Sequence, residues 1–314
     1  MIGTLAVLTL AVMATHTDTT VAVRAGTRLE LSNFGGSITV TTWAKNAVRV
    51  VADHSSRVRV QVESSGPDLQ IEANHSRGIP STVDYRLTVP RGMALNLSGV
   101  STDISVENSE GEVKVESVQG DVTVTGATKS VSASSVEGEV LIRGATGRVT
   151  CSSVNGGVRV ERTSGPVEAS SVNGEIVLQS ITSEEVDAST INGTVSYEGA
   201  ILESGSYRFS THNGDVAVAV PEKVNATVSV ATFSGEFSSE FKVQLNDTRH
   251  GKRFNFTLGT GAARIELESF QGSIRLRRPG SPDRKQAEAY KYEYKKSTRT
   301  EKDKHKNGHG GDEP

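Results

Sequence analysis

The side chains with the most chemical potential in this 314-residue chain are carboxylates that recur directly behind glycines. Asp121, Glu139, Glu175, Asp215 and Glu236 each follow a glycine, and Gly157 and Thr194 occupy the intervening equivalent positions. If those glycines stack, the carboxylates stack with them about 5 Å apart. Such charges repel unless they are solvated, salt-paired or bridged by a cation. Calcium, a hard ion satisfied by oxygen ligands, is the cofactor such a column would take. A solvated acidic edge that discourages aggregation is the other use of the same residues.

A second polar column precedes the glycines. Asn155-Gly156, Asn173-Gly174, Asn192-Gly193 and Asn213-Gly214 are Asn-Gly pairs, which favour tight turns with positive φ. Stacked amides can also bond to one another as a ladder, and an exposed amide ladder could bind carbohydrate.

Other chemistry is thinly represented. The seven histidines are scattered, and His212 stands where its counterparts are Val or Ile, which points to packing. There is no Gly-x-Ser-x-Gly elbow, no phosphate-cradling loop and no His-Glu-x-x-His. The single cysteine, Cys151, allows neither an intramolecular disulfide nor a thiolate cluster. It occupies a position held elsewhere by Ala133, Ala169 and Ala188, so a small buried hydrophobe is expected there.

The element that positions these columns is a repeat. Ser135-Val136-Glu137-Gly138-Glu139-Val140 recurs as Ser153-Val154-Asn155-Gly156-Gly157-Val158, as Ser171-Val172-Asn173-Gly174-Glu175-Ile176 and as Thr190-Ile191-Asn192-Gly193-Thr194-Val195. Gly120, Gly138, Gly156 and Gly174 are 18 residues apart, and Gly193, Gly214 and Gly235 follow at intervals of 19 to 21. Each period holds two short segments of alternating character, such as Val131-x-Ala133 and Val140-x-Ile142. Period two means strands with the named residues inward. The fold class is therefore all-β, a single-domain β-solenoid of the parallel β-helix kind, with coils of about 18–21 residues. Regular coils are expected over residues 95–280 and a more irregular β cap over 15–94. The segment Asn33-Phe34-Gly35-Gly36-Ser37-Ile38 already looks like a repeat.

The ends differ in composition. Ile2–Met13 is an apolar run before polar Thr15-His16-Thr17-Asp18, which suits a signal peptide over residues 1–14. Residues 281–314 are charged and aperiodic, as in a disordered tail; His305 and His309 in it are too few to define a metal site. Aromatic residues make up only 5% of the chain, which suits thin β layers rather than a thick helical core. The net charge of −3 gives no reason to expect nucleic acid, and no apolar run beyond the signal is long enough to span a membrane.

The run Gly26-Thr27-Arg28-Leu29-Glu30-Leu31-Ser32-Asn33-Phe34-Gly35-Gly36-Ser37-Ile38-Thr39-Val40-Thr41-Thr42-Trp43, with the repeated Ser-Val-x-Gly-Glu-Val units, resembles the bacterial adhesin-type β-solenoid domains of unknown function. The resemblance spans residues 18–278. It implies a location in the periplasm, at the cell surface or outside the cell, and supplies no catalytic residues.

The function expected is non-catalytic: a binding or adhesion module whose partner is a glycan, an envelope polymer or another surface protein. A scaffold that self-associates end to end through its terminal coils is the alternative. A polysaccharide-acting enzyme comes third, because outward positions such as Glu168, Asp187 and Arg159 form no acid–base cluster and the turns are too short to wall a deep cleft.

Overall fold

The structure is a computed structural model that describes residues 14–75, 81–242 and 252–280. The regions expected to be a signal peptide and a charged tail lie outside the described residues, apart from Ala14. All strands belong to the compact unit Met1–Arg277; of the second unit, Arg278–Pro314, only residues 278–280 are described.

Alternation of small apolar and polar residues gives strands throughout. The N-terminal strands are β1 (Ala14–Ala22), β2 (Arg28–Trp43), β3 (Ala47–Ser55), β4 (Val58–Ser65), β5 (Asp68–His75), β6 (Val83–Pro90) and β7 (Ala94–Glu107). The regular coils follow as short pairs: β8 (Val113–Ser117) and β9 (Val122–Thr125), β10 (Val131–Ser135) and β11 (Val140–Arg143), β12 (Val149–Ser153) and β13 (Val158–Glu161), β14 (Val167–Ser171) and β15 (Ile176–Ile181). Further on come β16 (Glu185–Asn192) and β17 (Val195–Gly199), then β18 (Ser206–Asn213) and β19 (Val216–Ala219). The last strands are β20 (Ala226–Thr232), β21 (Phe237–Ser239), β22 (Lys252–Leu258), β23 (Ala263–Gln271) and β24 (Ile274–Arg277). This is the expected β-solenoid.

Equivalent strands of successive coils pair in parallel and in register, so Val131 lies over Val113 and under Val149. Inward residues therefore superpose, and the core is a set of columns. Ala133, Cys151, Ala169 and Ala188 form one such column, all of them buried. Burial pushes the Cys151 thiol up to about 12. Larger residues enter the core near the C-terminal end, where Tyr197 packs on Phe209 with centroids 4.9 Å apart.

Two features could not be read from the repeat. At the C-terminal end, β23 pairs with β18 on one side and β20 on the other, and β24 lies between β19 and β21. The last coil in sequence is thus inserted between two earlier ones. The N-terminal end has a matching arrangement: β2 lies between β7 and a coil made of β5 and β6. Antiparallel strands flank these end coils, β4 on β5, β3 on β6, β1 on β3 and β22 on β20.

The second feature is a correction. The Asn-Gly corners do not use positive φ. That conformation sits at the other corner of the coil, at Asn108 (φ 56°), Gly126 (70°), Gly144 (64°), Arg162 (51°) and Ser180 (56°). The glycines of the Asn-Gly pairs are required by close approach instead. A Cβ on Gly174 would lie 1.9 Å from the carbonyl oxygen of Gly156 in the coil beneath.

Candidate binding face

The corner that ends the first strand of each coil carries a regularly repeated, hydrogen-bonded surface. Its anchor is a buried hydroxyl that turns inward. Ser171 Oγ donates to the Gly156 carbonyl at 3.1 Å and accepts from Gly174 N at 2.9 Å. Ser135 and Ser153 repeat both bonds, and Thr190 and Thr211 repeat the donation. This hydroxyl joins each corner to the one below, which is why Ser or Thr opens the copies from Ser117 onward, whereas Asn33 and Gly99 hold the position in β2 and β7. The role was not evident from the spacing.

With the hydroxyl inward, the next residue must point outward, and in most copies it is apolar. Following the strand pairing, the outward column runs Phe34, Val100, Val118, Val136, Val154, Val172, Ile191, His212, Phe270, Phe233. Among the described residues, every large hydrophobic side chain that is exposed belongs to this one column. At one end its members are rings. His212 stacks on Phe270 with centroids 4.7 Å apart, and Phe270 on Phe233 at 4.8 Å. The packing expected of His212 is therefore made on the outside of the solenoid.

Polar rows flank this ridge. On one side is the amide ladder: Asn173 Nδ2 donates to Asn155 Oδ1 at 2.8 Å, Asn192 to Asn173 at 2.9 Å, and Asn213 to Asn192 at 2.8 Å. Gln119 extends it by donating to Glu137. On the other side is a row of small hydroxyls, Ser134, Ser152, Ser170, Ser189 and Ser210, which continues through Glu268 and Ala231 to Arg253. Beside the stacked rings the surface sinks into a cleft of about 590 Å³ that includes Ser210, Phe233, Arg253, Glu268 and Phe270.

The carboxylates behind the glycines separate by chain length. The short Asp side chains cap the backbone of the neighbouring coil: Asp121 Oδ1 accepts from Glu139 N at 2.8 Å, and Asp215 Oδ1 from Ser273 N at 2.9 Å. Asp215 also accepts from Arg275 at 3.1 Å. The longer Glu139 and Glu175 reach Arg159, at 3.5 and 3.9 Å. Glu236 stands at the start of the outermost copy, its carbonyl accepting from Ile274 N. Among the described residues, no group of three or more His, Cys, Asp or Glu side chains is set to share a metal ion. Calcium on this column would have to compete with the backbone amides and arginines that already hold it. Among the described residues, no helix is long and apolar enough to cross a membrane.

A family model described as Toastrack DUF4097 matches residues 26–277. No curated protein matches the chain. Solved structures similar to it include a "putative adhesin" from Parabacteroides merdae, with 9% identity over 83% of this chain and 95% of that one, at a TM-score of 0.38. Another "putative adhesin", from Bacteroides fragilis, shows 11% identity over 83% and 97% at a TM-score of 0.36. A "putative lipid binding protein" from Parabacteroides distasonis shows 11% identity over 83% and 96% at 0.33.

Proposed function

Since the chain belongs to the Toastrack DUF4097 family, we propose that it is an exported, non-catalytic binding module of the cell envelope or surface, and that its ligand is a glycan chain lying along the solenoid. The observation that carries this reading is the ridge of exposed Val, Ile and Phe side chains between a hydroxyl row and an amide row. An exposed apolar row of this length needs a partner or a use. A sugar polymer has the matching character, with C–H faces for the ridge and hydroxyls for the serines and amides on either side. Coil spacing of about 4.8 Å presents the same groups again at every step, which suits a repeating ligand. The apolar segment Ile2–Met13 supports export.

The end-to-end scaffold has weaker support. Antiparallel strands β4 and β22 lie across the outermost coils and interrupt the parallel pattern that a second copy would extend.

Binding of the full chain to an array of bacterial and host glycans, with and without calcium, tests the proposal. Saturable binding is expected, and replacing Val118, Val136 and Val154 together by Ser should weaken it by at least tenfold. A folded sample that binds no glycan, or a triple variant that binds as well as the parent, would sink this reading. Filaments growing with protein concentration would then favour the scaffold.

A further inference from the structure

Asn155-Gly156, Asn173-Gly174, Asn192-Gly193 and Asn213-Gly214 stack along one corner, and these pairs carry a reactivity that binding does not use. An asparagine followed by glycine is the pair most open to deamidation, because no side chain keeps the glycine nitrogen from the preceding amide. In that reaction the glycine nitrogen gives up its proton and bonds to the asparagine Cγ, while the Cγ–Nδ2 bond breaks and ammonia leaves. Water then opens the cyclic imide to aspartate or isoaspartate. Water is the only co-reactant, and nothing is oxidised or reduced. All four asparagines are exposed, so solvent reaches them.

Each of the four glycine nitrogens is nevertheless engaged. Gly156 N donates to Ser153 Oγ at 3.0 Å, and Gly174 N to Ser171 Oγ at 2.9 Å. Gly193 N donates instead to the Asn213 carbonyl at 3.1 Å, and Gly214 N to the Gln271 carbonyl at 3.0 Å, both on the neighbouring coil. A proton held by an acceptor in this way is not given up to hydroxide until the bond opens. The electrophile is held as well. Asn173 and Asn192 are each bonded through both Nδ2 and Oδ1, so neither amide can turn onto the glycine nitrogen without breaking the ladder.

We propose that these four pairs are a latent self-modification site, closed by the hydrogen bonds of the folded corner and opened one pair at a time when the bond guarding that pair is lost. The guard differs along the ladder. It is the hydroxyl of the same corner for Asn155 and Asn173, and the next coil for Asn192 and Asn213. Asn213 therefore reports on the inserted last coil, because Gln271 ends β23. The event is one-way. It replaces a donor of the amide row by a carboxylate, and isoaspartate adds a methylene group to the backbone at a corner where successive coils touch. The inference holds whatever the face binds.

The test is to incubate the full chain at mildly alkaline pH, folded and in urea, and to follow each asparagine by peptide mapping with mass spectrometry. All four should convert in urea, and the folded chain should stay unmodified over the same period. Ser171→Ala should speed conversion at Asn173 by about tenfold or more and leave Asn155 as in the parent. Ser171→Thr should restore protection, since Thr232 Oγ1 accepts from Gly235 N at 3.0 Å in the equivalent corner. Gly272→Ala, which sets a Cβ 1.9 Å from the Gly214 carbonyl oxygen, should push the inserted coil away and speed conversion at Asn213 without touching Asn155. The remaining pairs are the control for folding, because global unfolding raises all four together. Folded-chain rates equal to those in urea would overturn the proposal. So would a Ser171→Ala variant in which Asn173 converts no faster than in the parent, or in which all four pairs speed up equally. An unchanged Asn213 in Gly272→Ala would overturn the assignment of its guard to the last coil.

Discussion

Phe233 and Phe270 stack ring on ring with 4.8 Å between centroids, and the later residue of the two lies nearer the middle of the solenoid. Phe270 intervenes between Phe233 and His212 because the final coil is inserted between two coils made earlier. The aromatic end of the ridge exists only through this exchange of order. In chain order, Phe233 would follow His212 directly and Phe270 would form the end of the stack.

Cross-linking can test that order. Ser210 and Glu268 are register partners, as are Glu268 and Ala231, whereas Ser210 and Ala231 have a strand between them. Adjacent parallel strands bring Cα atoms within disulfide range. The pairs Ser210→Cys with Glu268→Cys, and Glu268→Cys with Ala231→Cys, should oxidise readily, and Ser210→Cys with Ala231→Cys should not. Efficient linking of the last pair, scored by gel mobility and peptide mapping, would mean that the coils stack in chain order.

The corner glycines are expected to be intolerant for a steric reason. Gly174→Ala would press a methyl group to 1.9 Å from the Gly156 carbonyl oxygen, at a cost of about 3 kcal/mol. Gly92 provides the contrast, since nothing lies within 4 Å of an added Cβ and its φ is not left-handed. Gly92→Ala should be neutral or stabilising by up to about 1 kcal/mol. Urea unfolding of both variants gives the comparison, and equal midpoints would show that the coils are not in close contact at this corner.

The inward hydroxyl predicts a similar contrast at a single site. Ser171→Ala leaves the Gly174 N–H and the Gly156 carbonyl without their shared partner, which costs roughly 1–3 kcal/mol. Ser171→Thr should be tolerated, because Thr190 makes the same bond to the coil below it. Differential scanning calorimetry of the two variants would decide this, and a harmless Ser171→Ala would remove the hydroxyl from the account of the corner.

Cys151 gives a pH dependence with a definite sign. Burial raises the folded thiol to about 12, against roughly 8.5 in an unfolded chain. Below the lower value both states are protonated and the group is neutral for stability. Between the two values the unfolded thiol ionises and the folded one does not, so stability is lost as pH rises. Cys151→Ala matches its column neighbours and should cost about 1 kcal/mol at pH 7. Its deficit relative to the parent should shrink and then reverse above about pH 9. A stability difference that stays constant from pH 7 to 11 would contradict the burial of this thiol, as would rapid labelling of native protein by a maleimide.

Calcium can be tested by melting alone. With Asp121 and Asp215 bonded to backbone amides and Glu139 and Glu175 near Arg159, the melting temperature should not move between millimolar calcium and chelator. A rise with calcium, abolished by Glu139→Gln and Glu175→Gln together, would show that the column holds the ion after all.

The period of the sequence determined more here than is usual, because a solenoid is one local pattern repeated. An 18-residue spacing of glycines with two alternating segments between them specifies coil length, inward columns and parallel register. The alanine-like setting of Cys151 and the asparagine ladder were visible for the same reason. Equivalent positions in a regular stack are neighbours, and neighbours of like type can be read without coordinates. Tertiary structure decided what the period does not encode. Each copy of the motif resembles the others, so nothing in its spacing says which copy lies against which. The insertion of β23 and β24 next to β18 and β19, and of β2 beside β6, is a pairing between copies that are not consecutive in the chain. The corner geometry also needed coordinates. An Asn-Gly pair reads locally as a turn with positive φ, but the packing of one coil on the next made close approach the deciding constraint and moved positive φ to the opposite corner. The ridge became legible only once the serine hydroxyls were seen to turn inward and leave Val136 and its equivalents facing water.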